Sequence, residues 1–296
     1  MTARLIDGKS IAAEIRGELT ARVQRLRDRG VTPRLAAVLV GDDPASAVYI
    51  RTKEKTAAKM NIASEIIRRP ANTSDAELRD IIDELNARED LHGYIIQSPL
   101  PSHLDEAAMV ERIDPAKDID GFHPVNVGAM ALGYPRMVPC TPAGIIELLV
   151  RSQVTLKGAE TVILGRGSIV GRPLSILLSL KGDRGDATVT LCHSRSRDLE
   201  SHCRRADILV LAMGRPESIT GDMVKPGATV IDVGINRVDD PSAKKGYRLV
   251  GDAHFPSVSE VAGAITPVPG GVGPMTVAML MSNAVTAAEQ SVNNQT

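Results

Sequence analysis

Tryptophan is missing from this chain of 296 residues, and phenylalanine and tyrosine occur only two and four times. Rings on which nucleic-acid bases could stack are therefore scarce. There is no basic excess either: 35 Lys and Arg stand against 36 Asp and Glu, a formal net charge of -1. That balance excludes general attraction to nucleic acid or to an anionic membrane surface. No apolar run reaches the roughly 20 residues that a membrane span needs, so no membrane partner is expected. Cysteine is also sparse. Cys140, Cys192 and Cys203 are odd in number and far apart, and no secretory leader is read ahead of them. A disulfide framework is thus not expected, and a soluble chain in a reducing, cytoplasmic setting is. The pairs Cys192-His193 and His202-Cys203 fit no standard zinc spacing, so no metal is expected.

What is present is enough apolar residue, 43%, for two cores in a chain longer than one core usually serves. Helix-like and strand-like stretches alternate through the first half. The pattern predicts a helix over 10–29, a strand over 35–40, a helix over 44–60, a strand over 63–67, a helix over 74–87 and a strand over 94–97. Such alternation argues for βαβ units on a mostly parallel sheet. The Pro-, Gly- and Asp-rich stretch 113–142 has no clear period and reads as the interdomain connection. Strands are expected again at 161–164, 187–192, 208–212 and 229–233, and a last helix at 275–290, with a polar, frayed tail from Ser291. The expected fold is α/β in two domains. The first is 1–140, joined by the returning C-terminal helix 275–296, and the second is 141–274, a Rossmann-like nucleotide domain.

The strand-like Thr161-Val162-Ile163-Leu164 breaks into Gly165-Arg166-Gly167-Ser168-Ile169-Val170-Gly171 and then into a helix-like stretch. A strand, glycine turn and helix expose backbone N–H groups at a helix N-terminus, where a dinucleotide pyrophosphate binds. The spacing G-x-G-x-x-x-G is one residue longer than the common fingerprint, and an ordinary strand-to-helix turn is the alternative. The turn lies past the middle of the chain, so the domain before it is expected to supply the chemistry. At the end of the next strand, where an Asp or Glu would bind a ribose 2′-OH, the chain carries Cys192-His193-Ser194-Arg195-Ser196-Arg197. Cations there favour NADP over NAD, with Arg166 as a second cation; a solvated loop is the alternative for Arg195 and Arg197.

On the helix 44–60, Tyr49, Lys53, Thr56 and Met60 share one narrow stripe, while Arg51, Glu54 and Lys55 point the other way. A lysine withdrawn from water is more easily deprotonated and can act as a general base; the alternative is a lysine whose amine reaches back to solvent. Gln97 closes the apolar strand Tyr94-Ile95-Ile96, which displays its amide at a strand's carboxyl end, where ligands of open α/β sheets bind; a loop-bracing glutamine is the alternative. In Lys117-Asp118-Ile119-Asp120-Gly121 one carboxylate could accept N–H donors from a heterocycle, or the Asp-Gly pair could simply form a turn.

Together these segments resemble one family, the bifunctional methylenetetrahydrofolate dehydrogenase/cyclohydrolase (FolD-type) enzymes. The resemblance runs in order from Asp7-Gly8-Lys9 through Val40-Gly41-Asp42-Asp43-Pro44-Ala45-Ser46, Tyr49-x-x-x-Lys53, Gln97-x-Pro99-Leu100-Pro101 and Lys117-Asp118-Ile119-Asp120-Gly121-Phe122. It continues with Pro139-Cys140-Thr141-Pro142-x-Gly144, the glycine turn, Cys192-His193-Ser194, Asp232-Val233-Gly234-Ile235-Asn236 and Thr266-Pro267-Val268-Pro269-Gly270-Gly271-Val272-Gly273-Pro274-Met275-Thr276. The resemblance implies NADP-dependent oxidation of 5,10-methylenetetrahydrofolate to the methenyl form and its hydrolysis to 10-formyltetrahydrofolate, in one-carbon metabolism. It implies Lys53 as the catalytic group, Gln97 as the residue setting its protonation state, Tyr49 packed on the folate and Asp120 on the pterin-like ring. Pro99, Leu100, Pro269, Gly270 and Gly273 would line the folate side, and the segment Gly234-Ile235-Asn236, Ile235 above all, would contact the nicotinamide end. A homodimer is implied as well. Where the family commonly reads Gly-Arg-Ser, this chain has Gly167, which removes a hydroxyl and lets the backbone come nearer to phosphate; the NADP preference then rests on the cations. A dehydrogenase lacking the hydrolytic step is one competing reading, against which the presence of Tyr49, Lys53, Gln97 and Asp120 argues; a non-catalytic NADP sensor is another, against which Lys53 argues.

Overall fold

The structure, a computed structural model, describes residues 2–243 and 245–293; of the side chains at 44–48 and 293 nothing is said. The chain opens with strand β1 (Arg4–Leu5) and helix α1 (Gly8–Asp28), followed by β2 (Arg34–Val40), α2 (Pro44–Lys59), β3 (Ala63–Arg69), α3 (Asp75–Ala87) and β4 (Gly93–Ile96). Three helices follow without an intervening strand: α4 (Glu106–Arg112), α5 (Pro124–Ala131) and α6 (Cys140–Arg151). Then come β5 (Glu160–Leu164), α7 (Gly171–Ser179), β6 (Thr188–Cys192), α8 (Leu199–Arg205), β7 (Ile208–Leu211) and β8 (Thr229–Asp232). The chain closes with β9 (Asn236–Asp239), β10 (Tyr247–Val250), α9 (Phe255–Val261), β11 (Ala264–Ile265) and α10 (Val272–Asn293).

The chain divides into two compact units, one of residues 14–140 with 277–296 and one of residues 1–13 with 141–276. In the first, three parallel strands lie in the order β3-β2-β4. Every residue of β2 from Leu35 to Val40 is buried, as expected for a central parallel strand covered on both faces. Helix α3 shows why its sequence folds where it does. Ser74 Oγ accepts from Glu77 N–H and the Glu77 side chain accepts from Ser74 N–H, a reciprocal cap that stabilises a helix start by about 1 kcal/mol. Leu78, Ile81, Ile82 and Leu85 then repeat at helical spacing and are buried against Ala36, Val38 and Tyr94.

The C-terminal helix returns to this unit. The Asn283 amide donates to the carbonyls of Ile119 at 2.8 Å and Val138 at 2.9 Å, and Arg22 on α1 pairs with Glu289 at 2.5 Å. The segment 113–142 contains the boundary between the two units, at 140/141, but it is not without regular structure, because α5 and the start of α6 lie within it. The eight residues of α5, opened by Pro124, offer too few turns for a period to show, and only the first three residues of α6 fall in the segment. Helix α10 continues through Ser291 to Asn293, and the tail beyond 293 lies outside the described residues.

The second unit carries a six-stranded parallel sheet in the order β1-β11-β8-β7-β5-β6. The sequence-order strands β5 and β6 run one way from β5, and β7, β8 and β11 run the other, so the strand order reverses between β5 and β7. Open α/β sheets bind ligands at the carboxyl ends beside such a reversal. The first thirteen residues join this unit because β1 pairs in parallel with β11 and Ala3 is buried in its core. The antiparallel hairpin β9–β10 stands apart as a two-stranded sheet.

Candidate functional site

The first constellation forms within the unit of residues 14–140 and 277–296. Lys53, on α2, is half-buried, and its Nζ donates to Gln97 Oε1 at 3.0 Å. Gln97 follows the end of β4, with its N–H donating to Val38 O at 2.8 Å and its Nε2 to Ser98 O at 2.7 Å. With its amide held at both ends, Gln97 presents only a carbonyl oxygen to Lys53. The structure thus brings together the two residues singled out on separate grounds, an inward lysine and a strand-end amide. The stripe differs in part from the one expected: among the described side chains of α2, Ile50 and Ala57 are buried, Met60 just past its end is buried as expected, and Tyr49 is 44% exposed. Tyr49 is therefore an open aromatic face one helical turn from Lys53 and not part of the buried stripe. Pro99, which follows a cis Ser98–Pro99 bond, is exposed, and Leu100 is half-buried.

The two carboxylates of Lys117-Asp118-Ile119-Asp120-Gly121 have separate tasks. Asp118 is buried and accepts from Gly121 N–H at 3.0 Å, His123 N–H at 2.7 Å and Asn126 Nδ2 at 2.9 Å. Lys117 caps the end of α3, donating to the carbonyls of Leu85, Asn86 and Arg88. Both are thus engaged by their own chain, and Asp120 is the second carboxylate of the segment. Burial pushes the Asp120 carboxyl above its ordinary range, the Lys53 charge offsets part of that shift, and the Asp118 charge adds to it. Beside it, the buried Cys140 thiol donates to Ile119 O at 3.4 Å and approaches Asp120 Oδ1 at 4.0 Å. Its pKa is pushed well above the ordinary value by burial. Cys140 is a packing residue, not a nucleophile.

The second constellation forms within the unit of residues 1–13 and 141–276. A cavity of about 290 Å³ is lined by Leu164 to Gly167, Cys192, His193, Ser194, Leu199, Ala212, Met213 and Arg215. It lies at the carboxyl ends of β5, β6 and β7, at the reversal of strand order. A side chain would fill the cradle. Gly165 has φ +116° and a Cβ there would meet Ala212 O at 2.1 Å, while a Cβ on Gly171 would meet Gly165 O at 1.8 Å. Gly167 has nothing within 4 Å of a built Cβ, so packing does not require glycine there. Ser168, Ile169 and Val170 lead into α7 outside the lining, and Ile169 is 51% exposed.

Of the cations expected to select NADP, Arg166 lines the cavity, whereas Arg195 is exposed on the turn after β6 and lies outside the lining. That turn is tight: His193 N–H donates to Ser196 Oγ and Ser196 N–H to His193 O. Arg215 is a lining cation that no motif of the sequence marked. Deeper in the unit, Asp232 and Asp252 are buried carboxylates beneath the cavity-lining loop 213–215 and the Gly234-Ile235-Asn236 segment. Ile235 is 46% exposed, and a Cβ on Gly273 would lie 3.7 Å from its Cδ1. The run that holds Pro269, Gly270 and Gly273 begins at Thr266, whose Oγ1 accepts from Asp232 N–H at 2.8 Å. Gly8 lies against the same run, since a Cβ there would meet Gly271 O at 1.8 Å; this close approach explains Asp7-Gly8-Lys9. Asp7 Oδ1 accepts from the Lys9 and Ser10 N–H groups at the start of α1. Among the described residues no group of three or more His, Cys, Asp or Glu could hold a metal ion, and no helix is long and apolar enough to cross a membrane.

Comparison with known proteins agrees over nearly the whole length. Residues 6–120 match the catalytic domain, and residues 139–292 the NAD(P)-binding domain, of tetrahydrofolate dehydrogenase/cyclohydrolase. The chain is 51% identical to the bifunctional protein FolD of Moorella thermoacetica, over 98% of this chain and 100% of the relative. It is 54% identical to that of Desulfovibrio desulfuricans, over 97% of this chain and 98% of the relative. The crystal structure of the Trypanosoma brucei N5,N10-methylenetetrahydrofolate dehydrogenase-cyclohydrolase, complexed with NADP cofactor and inhibitor, superposes with a TM-score of 0.93 at 42% identity, covering 99% of each chain.

Proposed function

We infer the function from the premise that this chain belongs to the tetrahydrofolate dehydrogenase/cyclohydrolase family. It is an enzyme of one-carbon folate metabolism that oxidises 5,10-methylenetetrahydrofolate to 5,10-methenyltetrahydrofolate with NADP and hydrolyses the methenyl form to 10-formyltetrahydrofolate. The glycine cradle fits a dinucleotide: Gly165 and Gly171 leave no room for side chains where a pyrophosphate needs backbone N–H donors, and α7 begins there. NADP⁺, when bound, accepts the hydride from the methylene carbon. The protein's part in that step is orientation, in which Gly165, Arg166, Gly167 and Ser194 hold the nucleotide and the Ile235 segment holds the nicotinamide end.

The hydrolytic step is carried by the Lys53–Gln97 hydrogen bond, the observation on which the reading rests most heavily. Water adds to the methenyl carbon while Lys53 Nζ takes one of its protons; that proton passes to N5 as the bond from the carbon to N5 breaks, and the remaining hydroxyl proton leaves to solvent as the formyl C=O forms on N10. Gln97 fixes the amine in place. Asp120 binds the N–H edge of the pterin-like ring, Tyr49 stacks on it, and Pro99 and Leu100 border the folate. Pro269, Gly270 and Gly273 shape the substrate side of the Ile235 segment. The protein works as a homodimer in the cytoplasm, with the folate as its small-molecule partner.

Product analysis with 5,10-methylenetetrahydrofolate and either NADP⁺ or NAD⁺ tests this. Reduced cofactor and 10-formyl product, with NADP⁺ the better oxidant, are expected. Formation of neither product above the enzyme-free control would overturn it. Light scattering in solution and cell fractionation check the dimer and the compartment.

A further inference from the structure

Two carboxylates that no motif singled out as ligands tie together the loops of the nucleotide unit. Asp252 is 0% exposed and accepts four hydrogen bonds: from Met213 N–H at 2.6 Å and Gly214 N–H at 3.0 Å on Oδ2, and from Arg215 N–H at 2.8 Å and Asn236 Nδ2 at 2.9 Å on Oδ1. Four donors fill the acceptor capacity of an ionised carboxylate, so Asp252 has none left for a ligand. Asp252 is itself held in turn. Its N–H and that of Gly234 donate to Asp232 Oδ1 at 3.0 and 2.9 Å, and Ala253 N–H donates to Asp232 Oδ2 at 2.8 Å. The approach depends on two glycines. A Cβ on Gly234 would stand 2.5 Å from Asp252 Oδ1, and one on Gly251 would stand 1.9 Å from Asp232 Oδ2.

We propose that Asp252 is a positioning residue for the dinucleotide: one buried carboxylate sets the cavity-lining segment 213–215 and the nicotinamide-end segment 234–236 in a common register. The inference rests on the functional reading given above. These segments follow different strands, β7 and β8, and Asp252 is the acceptor they share. Charge-assisted bonds from three successive backbone N–H groups fix a loop more firmly than apolar contact would, because bonds to an ionised acceptor are roughly twice as strong as neutral ones and the acceptor itself is buried.

Asp252→Asn in the full-length protein separates this role from packing, since it keeps the volume but turns an amide NH₂ toward N–H donors. The dissociation constant for NADP⁺ is measured by calorimetry, alongside the dehydrogenase kcat and KM and the rate of 5,10-methenyltetrahydrofolate hydrolysis without nucleotide. The Kd and KM for NADP⁺ are expected to rise about tenfold or more, with hydrolysis within about twofold of wild type, because Lys53 and Gln97 belong to the other compact unit. An unchanged Kd, or both activities falling in parallel, would overturn the proposal. Should that variant not fold, Asn236→Ala decides: a raised Kd for NADP⁺ and a lower dehydrogenase kcat, with methenyl hydrolysis kept, are expected, and wild-type Kd and kcat contradict it. If wild type forms neither folate product, the functional reading fails, while the calorimetric comparison still decides the role of Asp252.

Discussion

Lys53 and Gln97 illustrate how far single residues can be read. Each was marked by a local rule, helical facing for the lysine and strand-end display for the amide, and the structure joins them at 3.0 Å. Tyr49 shares the expected inward stripe and proves open, because the buried side of α2 carries Ile50 and Ala57 instead. Asp232 and Asp252 were not legible as acceptors: seven hydrogen bonds converge on them from segments that only the sheet brings together. Asp232 also makes a pH prediction. Burial pushes its carboxyl up to about 6 from an ordinary 3.8, despite bonds from Ala253 and Asp252 N–H that favour the ionised form. A raised carboxyl pKa means that the native state holds the proton more tightly. Its contribution is full below the unfolded value and is lost as pH rises through about 6, a difference of about 3 kcal/mol. Urea unfolding from pH 3.5 to 7 should show this slope in wild type and lose it in Asp232→Asn; identical slopes would count against the assignment.

At the scale of elements, the glycine turn makes the sharpest contrast. Gly165→Ala must place a Cβ against Ala212 O at a positive φ, so it is expected to weaken NADP⁺ binding at least about tenfold. Gly167→Ser meets nothing within 4 Å and is expected to bind NADP⁺ as well as wild type or better. Titration calorimetry on both variants checks this, and equal losses would contradict the cradle. Long periodic elements such as α1, α3 and β2 were legible because each buries one face or both. The hairpin β9–β10 and the strands β1 and β11, two residues each, were not, since elements so short take their identity from their partners. Helices α4 and α5 escaped for a related reason: Asp105 and His123 cap them, but seven and eight residues hold only about two turns.

For the whole molecule, length and apolar content point to two cores, and the turn-rich run before the last helix to its return, but nothing marks residues 1–13 as part of the second unit. The return is secured where it matters for the site. Asn283 holds the carbonyls of Ile119 and Val138 next to Asp120, so Asn283→Ala should cost about 1–3 kcal/mol and raise the folate KM with the NADP⁺ Kd unchanged. Thermal unfolding and steady-state kinetics test that split, and a change confined to the NADP⁺ Kd would refute it. The central claim, that one chain carries oxidation and hydrolysis with Lys53 as the proton-transfer group, is tested most directly by Lys53→Ala supplied with 5,10-methenyltetrahydrofolate. Enzyme-dependent hydrolysis should fall by about 10²–10⁴-fold in a folded variant that still binds NADP⁺. Hydrolysis at the wild-type rate would contradict the account.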